Sequence, residues 1–597
     1  MNRNRKPGEV CGHRPGNQNA VAFPRDRYSF SEPWCGRDDG SAARGPFRGS
    51  RHVVSPARSG SLLLIVLVVV AMLTLAAYNF TQTMQTELEA TAGYGLEVQA
   101  RDAADSGVEY VSVILANRVA AAAENLNHNP NVFLGKTVAA SPRLGGNARF
   151  TIIAPVEQDV RGNAIRYGLA DESAKLNLNL LDRLQLDEDQ VQAWLMNLPG
   201  MTASIADALL DWIDTDDTKR PEGAESDVYE ALPQPYKARN GPLESLDELL
   251  LIRGVTPALL YGEDANRNGL LDPHEDDADK SPPWDNADGV LNHGWVAYLT
   301  AYSREANRRT DGQEKIDVNN GLLTELYDAV EREFNAEAAK FVIAYRMNGP
   351  KDQPPADAAE DSDSATQDPT QKNQQEQAAV EDLTSAIVTG VFKQAGTVTR
   401  GGIDISTGGQ MKVKSLWDLI GSRADVLIDG GRRTLVSPWP AEPSSLLALL
   451  PRLMDVLSVS SDEIIEGRIN LNQARREILL GVPGMSEKLV NSIVTAQKID
   501  ANGQPDPDTI QQHNVTGWLF MEQLVDIWKM RELDPYLTAR GDVYHAQVFG
   551  FFDVGGPVIR IEAVVDATKV PPRVVFQRDL NDLGRGYTRS QLLPTSR

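Results

Sequence analysis

The stretch DANRNGLLDPHE, Asp264 to Glu275, sets side-chain oxygens at the spacing a hard cation needs. It satisfies the pattern D-x-[DN]-x-[DN]-G-x5-E at every position. Asp264, Asn266 and Asn268, at positions 1, 3 and 5, can turn their oxygens onto one ion. Gly269 permits the sharp turn at position 6, and Leu270 offers its carbonyl at 7. Asp272 stands at 9, a position that often acts through water, and Glu275 closes the loop bidentately at 12. The expectation is a calcium site made by Asp264, Asn266, Asn268, Leu270, Asp272 and Glu275. The bland alternative is an Asn/Asp-rich turn that binds nothing; six matched positions weigh against it. No helical pattern follows Glu275, so the loop reads as an insertion that stiffens its surroundings, not as a sensor.

Two further acidic stretches are weaker. DWIDTDDTKRPEGAE brings Asp214, Asp216, Asp217 and Glu225 close in sequence. DNADG, Asp285 to Gly289, lacks the spacing of a complete loop and reads as a solvated turn. Other chemistry is absent from the sequence. The seven histidines are scattered without an HExxH pair, and there is no GxSxG, Walker loop or GxGxxG. Both cysteines, Cys11 and Cys35, precede residue 60. No catalytic or cofactor-binding residues are assigned, and the chain is expected not to be an enzyme. A net charge of −24 argues against a nucleic-acid binder, which needs a basic surface.

The elements that must hold the loop begin with an apolar run. Ser61 to Thr86 is uncharged, and its first part, SLLLIVLVVVAMLTLAA, is almost wholly apolar. About 20 apolar residues in a helix cross a bilayer. A signal peptide has a shorter apolar stretch and a cleavage site after it. A buried helix apolar on every face, as Leu62–Val70 is, needs lipid or a large core. Residues 1–60 carry eleven Lys/Arg against five Asp/Glu, and Glu87 and Glu89 follow the run. The positive-inside bias then puts the N-terminus in the cytoplasm. No proline interrupts Thr86 to Leu126, and Leu88, Leu96, Ala103, Ala104, Val108, Val111 and Leu115 fit a helical period. A helix from Ser61 to about Asn117 would be roughly 85 Å long.

A basic leader ending in glycine, an apolar helix and an amphipathic continuation resemble a type IV pilin or pseudopilin. The resemblance implies cleavage by a prepilin peptidase between Gly60 and Ser61, on the cytoplasmic side. Most pilins carry Glu at the fifth mature position; here it is Ile65. The tip pseudopilin of type II secretion systems, of the protein K family, lacks that Glu. DALLDWID, GAE and LDELLLIRGVTP also resemble the helical insertion of that family. The family resemblance implies calcium in this helical domain as well.

KLNLN (Lys175–Asn179) recurs as RINLN (Arg468–Asn472), and NLPGMTASIADALLDW recurs as GVPGMSEKLVNSIVTA. Both resemble helix-hairpin-helix motifs, but Thr202 and Ser486 stand where the second glycine would lie. They read as packing modules, with Leu198, Ile205, Leu209, Ile478, Leu489 and Ile493 as cores. Ser245 and Glu248 form a capping box ahead of a helix that Gly254 ends. NARFTIIAPVEQ and NAIRYGLADESAKLNLNLL read as short strands. In PVIRIEAVVDA, Ile559, Ile561 and Ala563 alternate with Arg560 and Glu562, as in a sheet with one wet face.

The expected fold is α+β: a long N-terminal transmembrane and amphipathic helix packed on a small antiparallel, pilin-like sheet. A large inserted α-helical domain would contain helix-hairpin-helix-like (SAM-like) repeats. The segments are a leader (1–60, removed), the long helix (61–125, membrane half 61–82) and strands (126–179). An inserted helical domain (180–348, calcium loop 264–275), a flexible linker (349–383) and a second helical region (384–540, repeat 467–496) follow. A β-hairpin and tail (541–597) close the chain. The resemblance implies a minor pseudopilin that initiates or caps the pseudopilus tip. It would be single-pass in the inner membrane, with its bulk periplasmic. Its partners would be I- and J-type minor pseudopilins, the prepilin peptidase and the inner-membrane platform, with no nucleic acid. The alternative is a membrane-anchored helix-hairpin-helix protein for DNA uptake or binding. A membrane-anchored hydrolase is a third reading.

Overall fold

A computed structural model describes residues 60–117, 121, 125–140, 146–154, 164–184, 186–351, 398–497 and 513–594. Residues 1–59 of the leader, and the linker beyond Lys351, lie outside them. The chain divides into two units, Met1–Gln82 and Thr83–Arg597. Helix α1 runs from Gly60 to Ala116, with no proline to break it. In the first unit its Leu, Ile, Val and Met side chains are exposed on every face. By length and composition α1 can cross a membrane.

In the second unit α1 buries one stripe. Ala100, Ala103, Ala104, Val108, Val111 and Leu115 are covered, at the three- and four-residue steps that share a helix face. They pack on Phe150, Ile152, Val548 and Ile561 of a sheet. Leu96 packs at the margin of this core, while Leu88, expected on the same stripe, is exposed. The core begins with Leu96, so Leu88 finds no partner there.

The sheet is antiparallel: β1 (Lys136–Ala139), β2 (Ala148–Ile153), β4 (Val543–Phe552), β5 (Val558–Asp566) and β6 (Arg573–Asp579) lie in that order. A short β3 (Ala170–Asp171) also pairs with β4. Gly550 of β4 lies under the helix, where an added Cβ would sit 2.0 Å from the Ala100 carbonyl. Only glycine allows that approach.

The opposite face of this sheet is not wet, against the reading of the 559–563 alternation. Arg560 is fully buried, and Phe549 and Phe551 pack under Tyr587 and Leu592. The covering layer is a polar loop and the C-terminal segment, and a guanidinium suits that layer. Of NAIRYGLADESAKLNLNLL, only Ala170–Asp171 and Leu176–Asn177 are strands; 3-10 turns at Glu172–Ala174 and Leu178–Leu184 interrupt them. Asp171 drives the first turn by accepting from Ser173 N. The stretch LDELLL is likewise a 3-10 helix, entered by Ser245 N donating to Glu248 Oε1 at 3.2 Å.

Between β3 and β4 lie the helical elements, sharing one large core. The two repeats have matching local structure. Leu176–Asn177 pairs in parallel with Leu299–Thr300, and Ile469–Asn470 with Leu537–Thr538. Asn179 Nδ2 donates to the carbonyls of Leu243 and Ala301; Asn472 Nδ2 donates to those of His513 and Ala539. Each strand leads to a helix pair: α2 (Glu188–Leu195) and α3 (Ala203–Ile213), then α4 (Arg476–Gly481) and α5 (Glu487–Ala496). Thr202 and Ser486 cap α3 and α5. Leu198, Ile205, Leu209, Ile478, Leu489 and Ile493 are all buried. The pairs touch: Trp194 Nε1 donates to the Ile478 carbonyl at 2.9 Å.

The second region is not wholly helical. Thr399–Arg400, Ile403–Asp404, Arg423–Ile428 and Gly431–Val436 form a four-stranded antiparallel sheet. Asp429 and Gly430, both at positive φ, make the two-residue turn that Asp-Gly favours between strands.

Candidate metal centres

Loop 264–275 follows a short helix, Pro257–Tyr261, that Thr256 caps. Asp264 accepts from the amides of Asn268 (3.0 Å) and Gly269 (2.8 Å). Asn266 Oδ1 accepts from Asn268 N, and Asn268 Oδ1 from Leu270 N at 2.6 Å. Both asparagine amides donate to Asp272 Oδ2, at 2.6 and 3.0 Å. Glu275 accepts from Ala265 N and Asp272 N, each at 3.0 Å. Gly269 has φ +70°. Asp264, Asn268 and Glu275 are buried; Asn266, Leu270 and Asp272 are partly so. Thus the side chains expected at positions 1, 3, 5, 9 and 12 lie in one network. Burial raises Asp264, and burial with the charges of Asp264 and Asp272 pushes Glu275 up to about 7. Hard oxygens at this spacing are of the type that Ca²⁺ takes, although the Asp264, Asp272 and Glu275 carboxylates accept from the loop's own amides here.

Sheet and C-terminal segment hold this loop from outside. Arg560 Nη1 donates to the Asn266 carbonyl at 2.6 Å, and its Nη2 to that of Arg267. Gln547 Nε2 also donates to the Arg267 carbonyl at 2.7 Å. Asn268 Nδ2 donates to the Gly586 carbonyl at 2.9 Å, and the Tyr587 hydroxyl donates to the Asn268 carbonyl.

A second cluster forms at the end of α3. Asp211 and Asp214 share its face at i, i+3, and the chain returns to bring Glu225 beside them. Their oxygens lie within 4.8 Å of one another. Asp211 and Glu225 are buried. Gly223 makes the return possible, since a Cβ there would lie 1.9 Å from Asp211 Oδ2. Asp214 Oδ1 and both Glu225 oxygens are buried without a hydrogen-bonding partner. Burial, then the charges of Asp211 and Asp214, pushes Glu225 up to about 7. Buried carboxylate oxygens with no donor are costly unless a cation takes them. The donor set therefore fits a hard divalent ion. Asp216 and Asp217 stand apart from it: Asp216 accepts from Thr218 N, and Asp217 from Asn240 Nδ2. Asp211 was the unassigned member of this cluster, and its i, i+3 spacing to Asp214 was the available signal.

Side chains pack against the glycine of each repeat hairpin. A Cβ on Gly200 would meet the Leu259 side chain at 2.6 Å, and one on Gly484 would meet Glu532 Oε1 at 2.2 Å.

Residues 174–261 match the family model for type II secretion system (T2SS) protein K. This span begins at the end of the 3-10 turn that follows β3, crosses α2 and α3 with the carboxylate cluster, and stops just before loop 264–275. Type II secretion system protein K of Aeromonas hydrophila is 28% identical over 220 residues, covering 34% of this chain and 60% of that protein. Its counterpart from Klebsiella pneumoniae is 29% identical over 211 residues, covering 34% and 59%. The chain is similar to the protein K family of type II secretion systems. It spans about 60% of the length of these protein K relatives. A third protein K, from Pectobacterium carotovorum subsp. carotovorum, is 34% identical over 96 residues, covering 16% of this chain and 27% of that protein. Among solved structures, a chain of the GspK-GspI-GspJ complex from the enterotoxigenic Escherichia coli type 2 secretion system matches at 11% identity. The match covers 83% of this chain and 98% of that one with a TM-score of 0.30, too low to carry an argument about fold.

Proposed function

We propose that this protein is a minor pseudopilin of a type II secretion system, starting or capping the pseudopilus tip with I- and J-type partners. The observation that carries the reading is the protein K match, which falls in the helical insertion between β3 and β4. The apolar helix at Gly60–Gln82 supports an inner-membrane anchor with the N-terminus in the cytoplasm and the bulk in the periplasm. A prepilin peptidase would cut between Gly60 and Ser61, and the inner-membrane platform would receive the processed subunit. Ile65 in place of a glutamate suits a foremost subunit, which has no neighbour ahead whose amine the acid would meet. The job is binding, not catalysis. The helix-hairpin-helix-like pairs act as packing modules, and a net charge of −24 disfavours the DNA-uptake alternative.

Two calcium sites belong to this reading. Asp264, Asn266, Asn268, Asp272, Glu275 and the Leu270 carbonyl would hold one ion; Asp214 and Glu225, with the charge of Asp211 beside them, would hold another. Each ion would supply positive charge to buried carboxylates, and so stiffen the insertion. Co-purification from detergent-extracted inner membrane tests the assembly. The expected result is retention of other leader-bearing pseudopilins by the wild-type chain, with loss on Ala104→Asp, which puts a charge between helix and sheet. Wild-type chain recovered without any such partner would overturn the reading.

A further inference from the structure

We propose that Arg220 sets the charge of the Asp211–Asp214–Glu225 cluster so that one divalent cation neutralises it, making Arg220 a specificity-determining residue. The proposal rests on reading that cluster as a calcium site. The guanidinium and the open oxygens divide the cluster between them. Arg220 Nη1 donates to Asp211 Oδ1 at 2.8 Å and to Asp214 Oδ2 at 2.5 Å. The Arg220 backbone amide also donates to Asp211, at 3.2 and 3.3 Å. Asp214 Oδ1 and both oxygens of Glu225 are left over. A cation can therefore use these oxygens while Arg220 stays in place. With all three carboxylates ionised, one guanidinium leaves two negative charges, which a divalent ion cancels. Glu188 also contacts Arg220, at 3.1 Å, but its side chain is 79% exposed and water screens it.

Without Arg220 the cluster would carry three negative charges in a largely buried place. Coulomb attraction then favours a trivalent ion over a divalent one more strongly than before. A residue that merely holds the fold would move both affinities together, so the ratio isolates the charge.

The test uses the full chain in detergent at about pH 8, where the carboxylates are ionised. Asp264→Asn and Glu275→Gln are present throughout, so that loop 264–275 does not contribute. Terbium binding is read by luminescence sensitised through Trp212, next to Asp211, and calcium by competition. Arg220→Gln keeps a donor for the carboxylates without the charge. It is expected to raise the terbium-to-calcium affinity ratio about tenfold. Arg220→Lys, which keeps the charge, is expected to leave the ratio unchanged. Gly223→Ala displaces Asp211 and is expected to weaken both ions together. An unchanged ratio in Arg220→Gln, with both ions still bound, overturns the role of Arg220. Absence of binding in the parent chain overturns the calcium reading of the cluster, and the proposal with it.

Discussion

The guanidinium of Arg560, fully buried on β5, donates to the carbonyl of Asn266 inside the predicted calcium loop, at 2.6 Å. Its Nε and Nη2 reach Gln547 Oε1 on β4, at 3.1 and 2.8 Å. One side chain thus ties the loop's backbone to the sheet. Removing one partner of such a network strands the others away from water. Arg560→Met should destabilise the protein by about 3 kcal/mol or more. Urea unfolding measures this; a loss near zero would mean that the loop is held by other contacts.

Asp264→Asn with Glu275→Gln should remove the calcium-dependent rise in melting temperature that loop 264–275 supplies. At a calcium level near 100 times the dissociation constant, that rise corresponds to about 2.7 kcal/mol. Differential scanning fluorimetry with and without calcium checks it. A rise as large as that of the unaltered chain rejects the loop as a site.

The pH dependence of the calcium effect has a definite sign. Glu225 and Glu275 lie at about 7, above the ordinary glutamate range. A carboxyl raised by folding holds its proton more tightly in the folded state. Its contribution is present in full below its unfolded pKa and is lost as pH rises through the folded one. The metal-free protein therefore loses these two contributions between about pH 4.5 and 7. Calcium needs both groups ionised, so its stabilisation should be small near pH 5.5 and large near pH 8. Equal melting shifts at the two values would show that neither carboxylate is a ligand.

Gly481 faces Trp194 across the two repeats. A Cβ there would lie 1.6 Å from the indole. Gly481→Ala should cost about 1–3 kcal/mol through overpacking, measured as a lower urea midpoint with an unchanged slope. A neutral effect would mean that the repeats can separate without loss.

The hydrogen-bonded turn at 264–275 was legible because Asp264, Asn268, Asp272 and Glu275 fall within one twelve-residue stretch, where spacing alone brings them together. The long helix was legible because proline is absent and its stripe of Ala and Val keeps a helical step. Leu88 shares that step, but a period does not say where the supporting sheet begins. Arg560 was misread for a related reason. Alternation looks the same whether the polar face meets water or a covering loop whose carbonyls need a donor. The carboxylate cluster was only half visible, since Gly223 and Arg220 join it through the return of the chain. The Asp429–Gly430 turn did have a local signal, flanked by ADVLI and RRTLV, that the helical reading of this region passed over.

The central claim is that this chain is processed and assembled as a pseudopilin. The most direct measurement is the N-terminal residue of protein extracted from the inner membrane of a host with its prepilin peptidase, with Gly60→Ala as control. The account predicts Ser61 as the first residue, and an uncut Gly60→Ala chain. A mature chain beginning elsewhere, or a wild-type chain left uncut beside the active peptidase, would contradict it.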